Sequence, residues 1–453
     1  MGQRCTTTLT RDQFKSSELV KTFYGAILPL TSLKSLSFQL ASEPSPYAFS
    51  KLSAFSRLSL HLDGKGDTGA GRLQAPPVSP VAPKIEKKGS LGIITETPSA
   101  DPAEVRKRRY QLLYHAKKLL PKERIAGCLF KRVDAQQGVK VLFNKSRNKA
   151  NYGNLQRCAN PWACPYCSAK ITESRKVDVR KAMDGHLATG GYVYLMTLTN
   201  SHNASHSLKF LKEGQREAMR RFMGGTRVSR GLFAALGKQH HINAYEVTHG
   251  QNGFHPHHHL LLFVASQLED DALQVLRDQL AAEWIHCCSK AGLPLPDMKY
   301  GLDIRSGRYA AEYVNKWGLE HEMTKGHLKK GKQGSMTPFD LLRDYADNGN
   351  AQSGKLFQEF ALSFKGARQL VWSRGLKKLY KIGEKTDQEI ADETDKISEE
   401  LFTLDQEFWI PLNRQQRTAD LLQYVEEDPS LQKAMDLIRQ CLLNEHKIPI
   451  LDG

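Results

Sequence analysis

The sequence predicts an α+β protein. A mostly antiparallel β-sheet carries helices against one face, a small four-cysteine zinc-binding unit precedes it, and a helical region follows it. Three observations point there. Between residues 192 and 317, β-rich and amphipathic helical stretches alternate in the order β-α-β-β-α-β-α. Cysteines stand at 128, 158, 164 and 167. From 384 onward the pattern is helical and strongly acidic.

Residues 1–100 show no sustained periodicity, and the Gly/Pro/Ala-rich stretch at 64–83 reads as a linker, so a poorly ordered extension is expected. A helix should begin at Asp101, with Pro102 at its first position and Glu104 completing a capping box, and stop at Pro121. Its first turns carry four consecutive bases at 106–109. They oppose the helix dipole, which makes phosphate contact their expected role. The run YVYLMTLT at 192–199 reads as a buried strand, followed by a basic helix at roughly 205–223. Strands at 242–247 and 254–264 flank the turn residues Gln251, Asn252 and Gly253, forming an antiparallel hairpin. Ser266 with Glu269 should cap a helix whose Leu273, Leu276, Leu280 and Trp284 share one face. A strand at 300–305, a helix at 306–317 and an amphipathic helical stretch at 355–380 follow. The expected divisions are an extension (1–100), a basic helix with the zinc-binding unit (101–185), the main sheet domain with its helical completion (186–383) and an acidic helical tail (384–453).

Apolar residues make up 40% and charged residues 25% of the 453, a globular composition. The apolar stretch at 23–30 contains a proline and is too short to span a bilayer, so neither a membrane protein nor a secreted scaffold is expected. Eight cysteines in so long a chain build no dense disulfide framework, which fits a reducing cytoplasm. The net charge of +17 is uneven: residues 101–190 carry +13 and residues 384–453 carry −10. A basic body with an acidic tail suggests a polyanionic partner, most simply nucleic acid.

GFHPHHHLLLF at 253–263 is the most informative stretch. Side chains alternate on a strand, so His255, His257 and His259 share one face while His258 points to the other. Imidazoles on one face make a divalent-metal site, and Glu246 on the partner strand is placed to complete it. The plain alternative is a row of surface histidines on an edge strand. Four histidines within five positions, running into LLLF, argue against it.

In RYAAEYVNKW at 308–317, Tyr309 and Tyr313 are four apart on one helix face, with Lys316 three beyond. A phenol beside a metal-bound phosphate can attack phosphorus, with a deoxyribose hydroxyl leaving, and a lysine there can screen phosphate charge. Alone, the two tyrosines would read as a core stripe; beside the histidine strand the chemical reading is preferred. Cys158-x5-Cys164-x2-Cys167 has knuckle-like spacing, with Pro165 tightening its turn and Cys128 the candidate fourth ligand after the hairpin VKVLFNKS. Buried free thiols are the alternative there, and core packing is expected for Cys287 and Cys288.

These motifs resemble a known family. FHPHHHLLLF is similar to the His-hydrophobe-His signature of the HUH endonucleases, with histidine at the middle position here. YLMTLTN resembles their first motif, and Tyr309-x3-Tyr313-x2-Lys316 resembles their tyrosine motif. Order and spacing resemble the rolling-circle replication initiators of bacterial plasmids and single-stranded DNA phages. RCANPWACPYCSAKI and KGARQLVWSRGLKKL resemble plasmid Rep proteins, so the likeness covers roughly residues 125–380.

The resemblance implies an HUH-type sheet in an endonuclease domain over 186–383. It implies His257, His259 and Glu246 as ligands of Mg²⁺ or Mn²⁺, Tyr313 as nucleophile and Tyr309 as the second tyrosine of a two-tyrosine scheme. Glu312 points off the Tyr313 face and is a poor candidate to activate water. His255 has the parity of a ligand or of a supporting group, and Thr197 and Thr199 are expected to support the site or touch phosphate, or else to be core strand residues. The four cysteines would bind structural Zn²⁺. The implied activity is site-specific nicking of origin DNA, single-stranded at the nick with duplex or hairpin nearby, leaving a 3′-OH primer and a 5′-phosphotyrosyl link. Host helicase and polymerase are the implied partners, in a bacterial cytoplasm.

Other classes compete. A histidine-triad nucleotide hydrolase spaces histidines similarly but leaves the tyrosine pair idle. A zinc-containing DNA-binding regulator would make the histidines structural. An HUH transposase would share every catalytic residue and differ in the DNA it joins.

Overall fold

The computed structural model describes residues 101–316, 334–393 and 398–445, without the side chains of Arg308, Tyr313, Asn315 and Lys316. The expected extension and linker before residue 101, and Trp317, lie outside the described residues. All described elements belong to one compact unit, Lys87–Gly453.

Helix α1 (Pro102–Leu119) starts where the Asp101 side chain accepts from the Ala103 N–H at 3.0 Å, with Pro102 in the first turn. The strands β1 (Val139–Asn144) and β2 (Lys149–Gly153) form the expected antiparallel hairpin. Helix α2 (Pro165–Ala188) is capped by Cys164, with Pro165 at its start.

The main sheet begins with β3 (Tyr192–Leu198). Its Val193 and Leu195 enter one buried cluster and its Tyr194, Met196 and Leu198 another, so both faces are covered. That explains an apolar run with no polar alternation. Helices α3 (Leu208–Arg220) and α4 (Arg227–Ala235) are separated at Gly224, which takes φ of 142°. Then come β4 (Lys238–Gly250) and β5 (Gly253–Val264), α5 (Asp270–Lys290), β6 (Leu302–Arg305) and α6 (Gly307–Lys316). After them come α7 (Pro338–Asn348), α8 (Ala351–Ser363), β7 (Leu370–Trp372) and α9 (Leu376–Leu379). The five-stranded sheet runs β6-β3-β5-β4-β7 and is antiparallel throughout. The chain ends with α10 (Asp387–Asp392), β8 (Glu399–Leu404), α11 (Gln406–Arg414), α12 (Thr418–Glu427) and α13 (Gln432–Glu445). No helix of the described residues is long and apolar enough to cross a membrane.

The α+β class and the antiparallel hairpin agree with expectation; several details do not. Helices cover both faces of the sheet. One face packs against α3, α4 and α5 through Leu211, Phe233 and Trp284. The other packs against α2 and α6 through Val179, Ala182, Ala310 and Val314. A strand buried on both sides needs both covers. The stretch at 355–380 is not one helix: Gly366 turns the chain at φ of 74°, and β7 then pairs with the outer edge of β4. Open backbone groups on that edge recruit the β-forming Leu-Val-Trp run.

The acidic tail is not wholly helical either. β8 joins β1, with Val139 opposite Leu404 and Val141 opposite Phe402. Lys140 meets Glu400 at 2.9 Å and Lys145 meets Glu399 at 2.7 Å across that pairing. Trp409, Leu412, Leu421 and Leu437 of the tail share a core with Leu112 and Leu113 of α1 and Tyr152 of β2. Helix α5 starts without the expected Ser266 box; Glu269 is its cap residue and makes no side-chain cap bond, while Asp270 and Asp271 suit the dipole.

The basic run on α1 has partners within the chain. Arg106 makes two bonds to the Glu426 carboxylate at 2.6 and 2.9 Å. Lys107 lies 3.8 Å from Asp420, and Arg108 pairs with Asp347. Acids from helices far along the chain thus face Arg106, Lys107 and Arg108.

Candidate active site and metal centres

Glu246 stands directly opposite His257 in the β4–β5 register, and His259 stands opposite Ala244. The pleat therefore puts all three side chains on one face, and their donor atoms lie within 4.8 Å of one another. Glu246 Oε2 is 3.3 Å from His257 Nε2 and 3.2 Å from His259 Nε2. Burial works to raise the Glu246 carboxyl, but the His259 and His257 rings outweigh it and hold the group well below the usual carboxylate range.

The far side of each ring is held too. His257 Nδ1 lies 3.2 Å from the His255 carbonyl oxygen, and His259 Nδ1 lies 3.0 Å from the Thr197 hydroxyl on β3. His257 thus sits between a carbonyl and a carboxylate, both pure acceptors, whereas a neutral imidazole has one N–H. With Nδ1–H given to the carbonyl, the gap between Nε2 and the carboxylate suits a cation. Two imidazoles and one carboxylate are a donor set for Mn²⁺ or Mg²⁺, so the residues fit the implied metal.

His255 shares the face but stands outside that trio. Its Nδ1 is 3.4 Å from Nδ1 of His202, and its Nε2 is 3.5 Å from the Thr199 hydroxyl. Burial, with His257 and His202 alongside, pushes its pKa down to about 3. His202 belongs to SHNASH, a second histidine group just after the first motif, which is the sequence signal for it. His258 points to the opposite face as expected, 3.0 Å from the Asn243 amide oxygen, and burial pushes its pKa down to about 3.

Helix α6 packs on the histidine face. Its Ala310 and Val314 share a cluster with Leu261 and Phe263, which continue the parity of His259 along β5. Val314 and His259 line the same small void. Tyr309 is part-exposed, with the Arg305 guanidinium 5.3 Å from its ring centre. Tyr313 and Lys316 belong to the α6 backbone, but their side chains lie outside the described residues. Glu312 is described and half-buried.

The four cysteines converge, all buried and none in a disulfide. Cys128 Sγ is 3.7 Å from both Cys164 Sγ and Cys167 Sγ, and Cys158 Sγ is 3.8 Å from Cys167 Sγ. A disulfide would need about 2.05 Å. A regular tetrahedron with Zn–S bonds of about 2.3 Å has edges of about 3.8 Å, so the spacing fits zinc. Leu129 and Ala159, each just after a cysteine, take φ of 48° and 50°. Left-handed turns at non-glycine residues cost roughly 1–2 kcal/mol each, a strain the convergence of the thiols can maintain. Hydrogen bonds from the other three thiols lower the Cys128 pKa well below the usual value, while burial and the Cys128 charge push Cys164 up. Cys287 and Cys288 are buried in the core, as expected.

Residues 150–418 match the family described as "Replication protein". The chain is 26% identical over 312 residues to "Protein rep" of Streptomyces lividans, covering 54% of this chain and 68% of that protein. It is 26% identical over 168 residues to "Neomycin resistance protein" of Streptomyces cyanogenus, covering 32% of this chain and 36% of that protein. No solved structure matches it. The family match takes in Cys158, Cys164 and Cys167, the histidine strand and both tyrosines of α6, and it spans more than half of the sequence. The chain belongs to the replication protein family.

Proposed function

We propose that this protein initiates rolling-circle replication of a plasmid by nicking single-stranded origin DNA as an HUH-type endonuclease. The observation that carries the reading is the juxtaposition of Glu246, His257 and His259 with the tyrosine-bearing helix α6 on one sheet face. A divalent ion held there would withdraw charge from a non-bridging phosphate oxygen. Tyr313 supplies the phenolic oxygen that forms the new bond to phosphorus. The P–O3′ bond breaks, and the phenolic proton is balanced by the one the 3′ oxygen takes up. The 5′ phosphate stays on the tyrosine and the free 3′-OH primes synthesis; Tyr309 serves the second cut and rejoining. Lys316 screens phosphate charge. Thr197 and the His255 carbonyl orient the two rings. The cysteine unit is a structural zinc site that ties the start of α2 to the segments before and after the β1–β2 hairpin. Host helicase and polymerase would extend the primer in the bacterial cytoplasm.

The test is a denaturing gel of the full chain with single-stranded origin oligonucleotides and Mn²⁺. A protein–DNA adduct at the 5′ end is expected, and Tyr313→Phe should abolish it. Normal adduct yield from the Tyr309→Phe/Tyr313→Phe double variant would refute the assignment.

A further inference from the structure

Two charged residues on β6 have no part in the trio of ligands, yet the register puts them on its face. Asp303 pairs with Thr197, and Thr197 pairs with His259 on its other side, so the three form one row across the sheet. Arg305 is two residues further along the same face, opposite Leu195. Its Nε donates to Asp303 Oδ2 at 2.5 Å, and its guanidinium carbon lies 5.3 Å from the Tyr309 ring centre. The Arg305 and Asp303 side chains are 27% and 46% exposed.

A part-exposed ion pair of this kind contributes about 0–1 kcal/mol, so stability does not explain it. Its effect is to orient. With Nε tied to Asp303 and the guanidinium carbon 5.3 Å from an aromatic ring centre, the two Nη groups form a held fork, and among the described residues they have no partner. A planar fork of N–H donors matches a phosphate bidentately. From these contacts we infer that Arg305, held by Asp303 and Tyr309, binds a phosphodiester of the single strand flanking the one that is cut.

The flanking position follows from the sheet. β6 is two strands from β5, about 10 Å between backbones at the usual spacing, and Arg305 lies two residues beyond the row that holds His259, so its fork is set to one side of the histidines and a neighbouring phosphate is the one assigned to it. The ligand class rests on the nicking reading, while the contact itself does not require chemistry. Asp303 offsets part of the arginine charge, so the contact selects geometry more than it adds attraction.

The experiment is binding of fluorescein-labelled dT20 to the full chain, by anisotropy without added divalent metal, over a range of salt. Arg305→Ala should bind 5- to 10-fold more weakly (about 1–1.4 kcal/mol) with its log–log salt slope reduced by about 0.7, one phosphate's share on a single strand. Arg305→Lys should keep the slope but recover only part of the affinity, because the ammonium lacks the fork. Asp303→Asn, which keeps an acceptor and removes a negative charge, should bind at least as tightly as the parent. Unchanged affinity and slope in Arg305→Ala, full affinity in Arg305→Lys, or no binding of dT20 by the parent would each overturn the inference. Normal nicking with Arg305-independent binding would sink it alone; Arg305-dependent binding without any nicking would sink the nuclease reading instead.

Discussion

The Thr197 hydroxyl sits 3.0 Å from Nδ1 of His259, whose Nε2 faces Glu246 at 3.2 Å. One imidazole is therefore held from both sides, by β3 and by β4, while its own strand runs between them. Such outer contacts fix the tautomer and aim of a metal-binding ring.

Thr197→Val removes that contact and nearly preserves volume. The Mn²⁺ concentration for half-maximal nicking should rise about 10- to 100-fold, and Thr197→Ser should restore it. A midpoint that does not move in the valine variant would deny Thr197 its orienting role.

Replacing His257 or His259 by alanine should cost nicking at least about 100-fold while duplex DNA binding persists, since binding draws on the basic surface rather than on the trio. Full Mn²⁺-dependent cleavage in both variants would remove the metal-site reading.

Elemental analysis of the purified chain should find one zinc per chain, and Cys164→Ser should lose it along with several degrees of melting temperature. Reductant alone should change nothing, because the four thiols form no disulfide. A zinc-free parent protein with the same melting temperature would make them plain buried thiols.

Glu426 joins α12 to α1 through Arg106, and to β2 through the Ala150 N–H at 2.8 Å. Breaking this pair with Arg106→Ala should cost roughly 1–3 kcal/mol, because it removes two charge-assisted bonds while the Ala150 N–H and Lys149 still face the carboxylate. Burial works to raise the Glu426 carboxyl, but Arg106, the Ala150 N–H and Lys149 outweigh it and leave the group below its ordinary 4.5. A depressed carboxyl stabilises the fold above its unfolded value and loses that stabilisation as pH falls through its folded value. The melting-temperature gap between parent and Glu426→Gln should thus be full at neutral pH and narrow below pH 4.5. A gap that widens in acid would contradict the sign.

Lys107→Ala with Arg108→Ala should change stability by no more than about 1 kcal/mol and leave the salt slope of DNA binding alone, since both bases already face acids. A slope lowered by about 0.9 per residue on duplex DNA would return them to phosphate contact.

Much of the candidate site was legible because its rules are local. Strand parity alone put His255, His257 and His259 on one face, and a turn at 251–253 brought Glu246 across from them. Cysteine spacing named the four thiols that converge. Reading failed where a partner far along the chain decided the outcome. β7 and β8 are short runs that became strands because β4 and β1 each had an open edge. Neither the spacing around His202 nor that around Arg305 names its partner; the fold brought one to His255 and the other to Tyr309.

Alternation, turn chemistry and ligand spacing depend on a few neighbouring residues, so the α+β class, the histidine face and the thiol set are written in the order of the residues. Only after folding is it settled that α6 covers that face and not the other, and that acids of the tail meet Arg106 and Lys107 of α1. Both depend on which apolar surfaces and charges meet after collapse, and long-range pairing of that kind leaves no periodic trace in the chain.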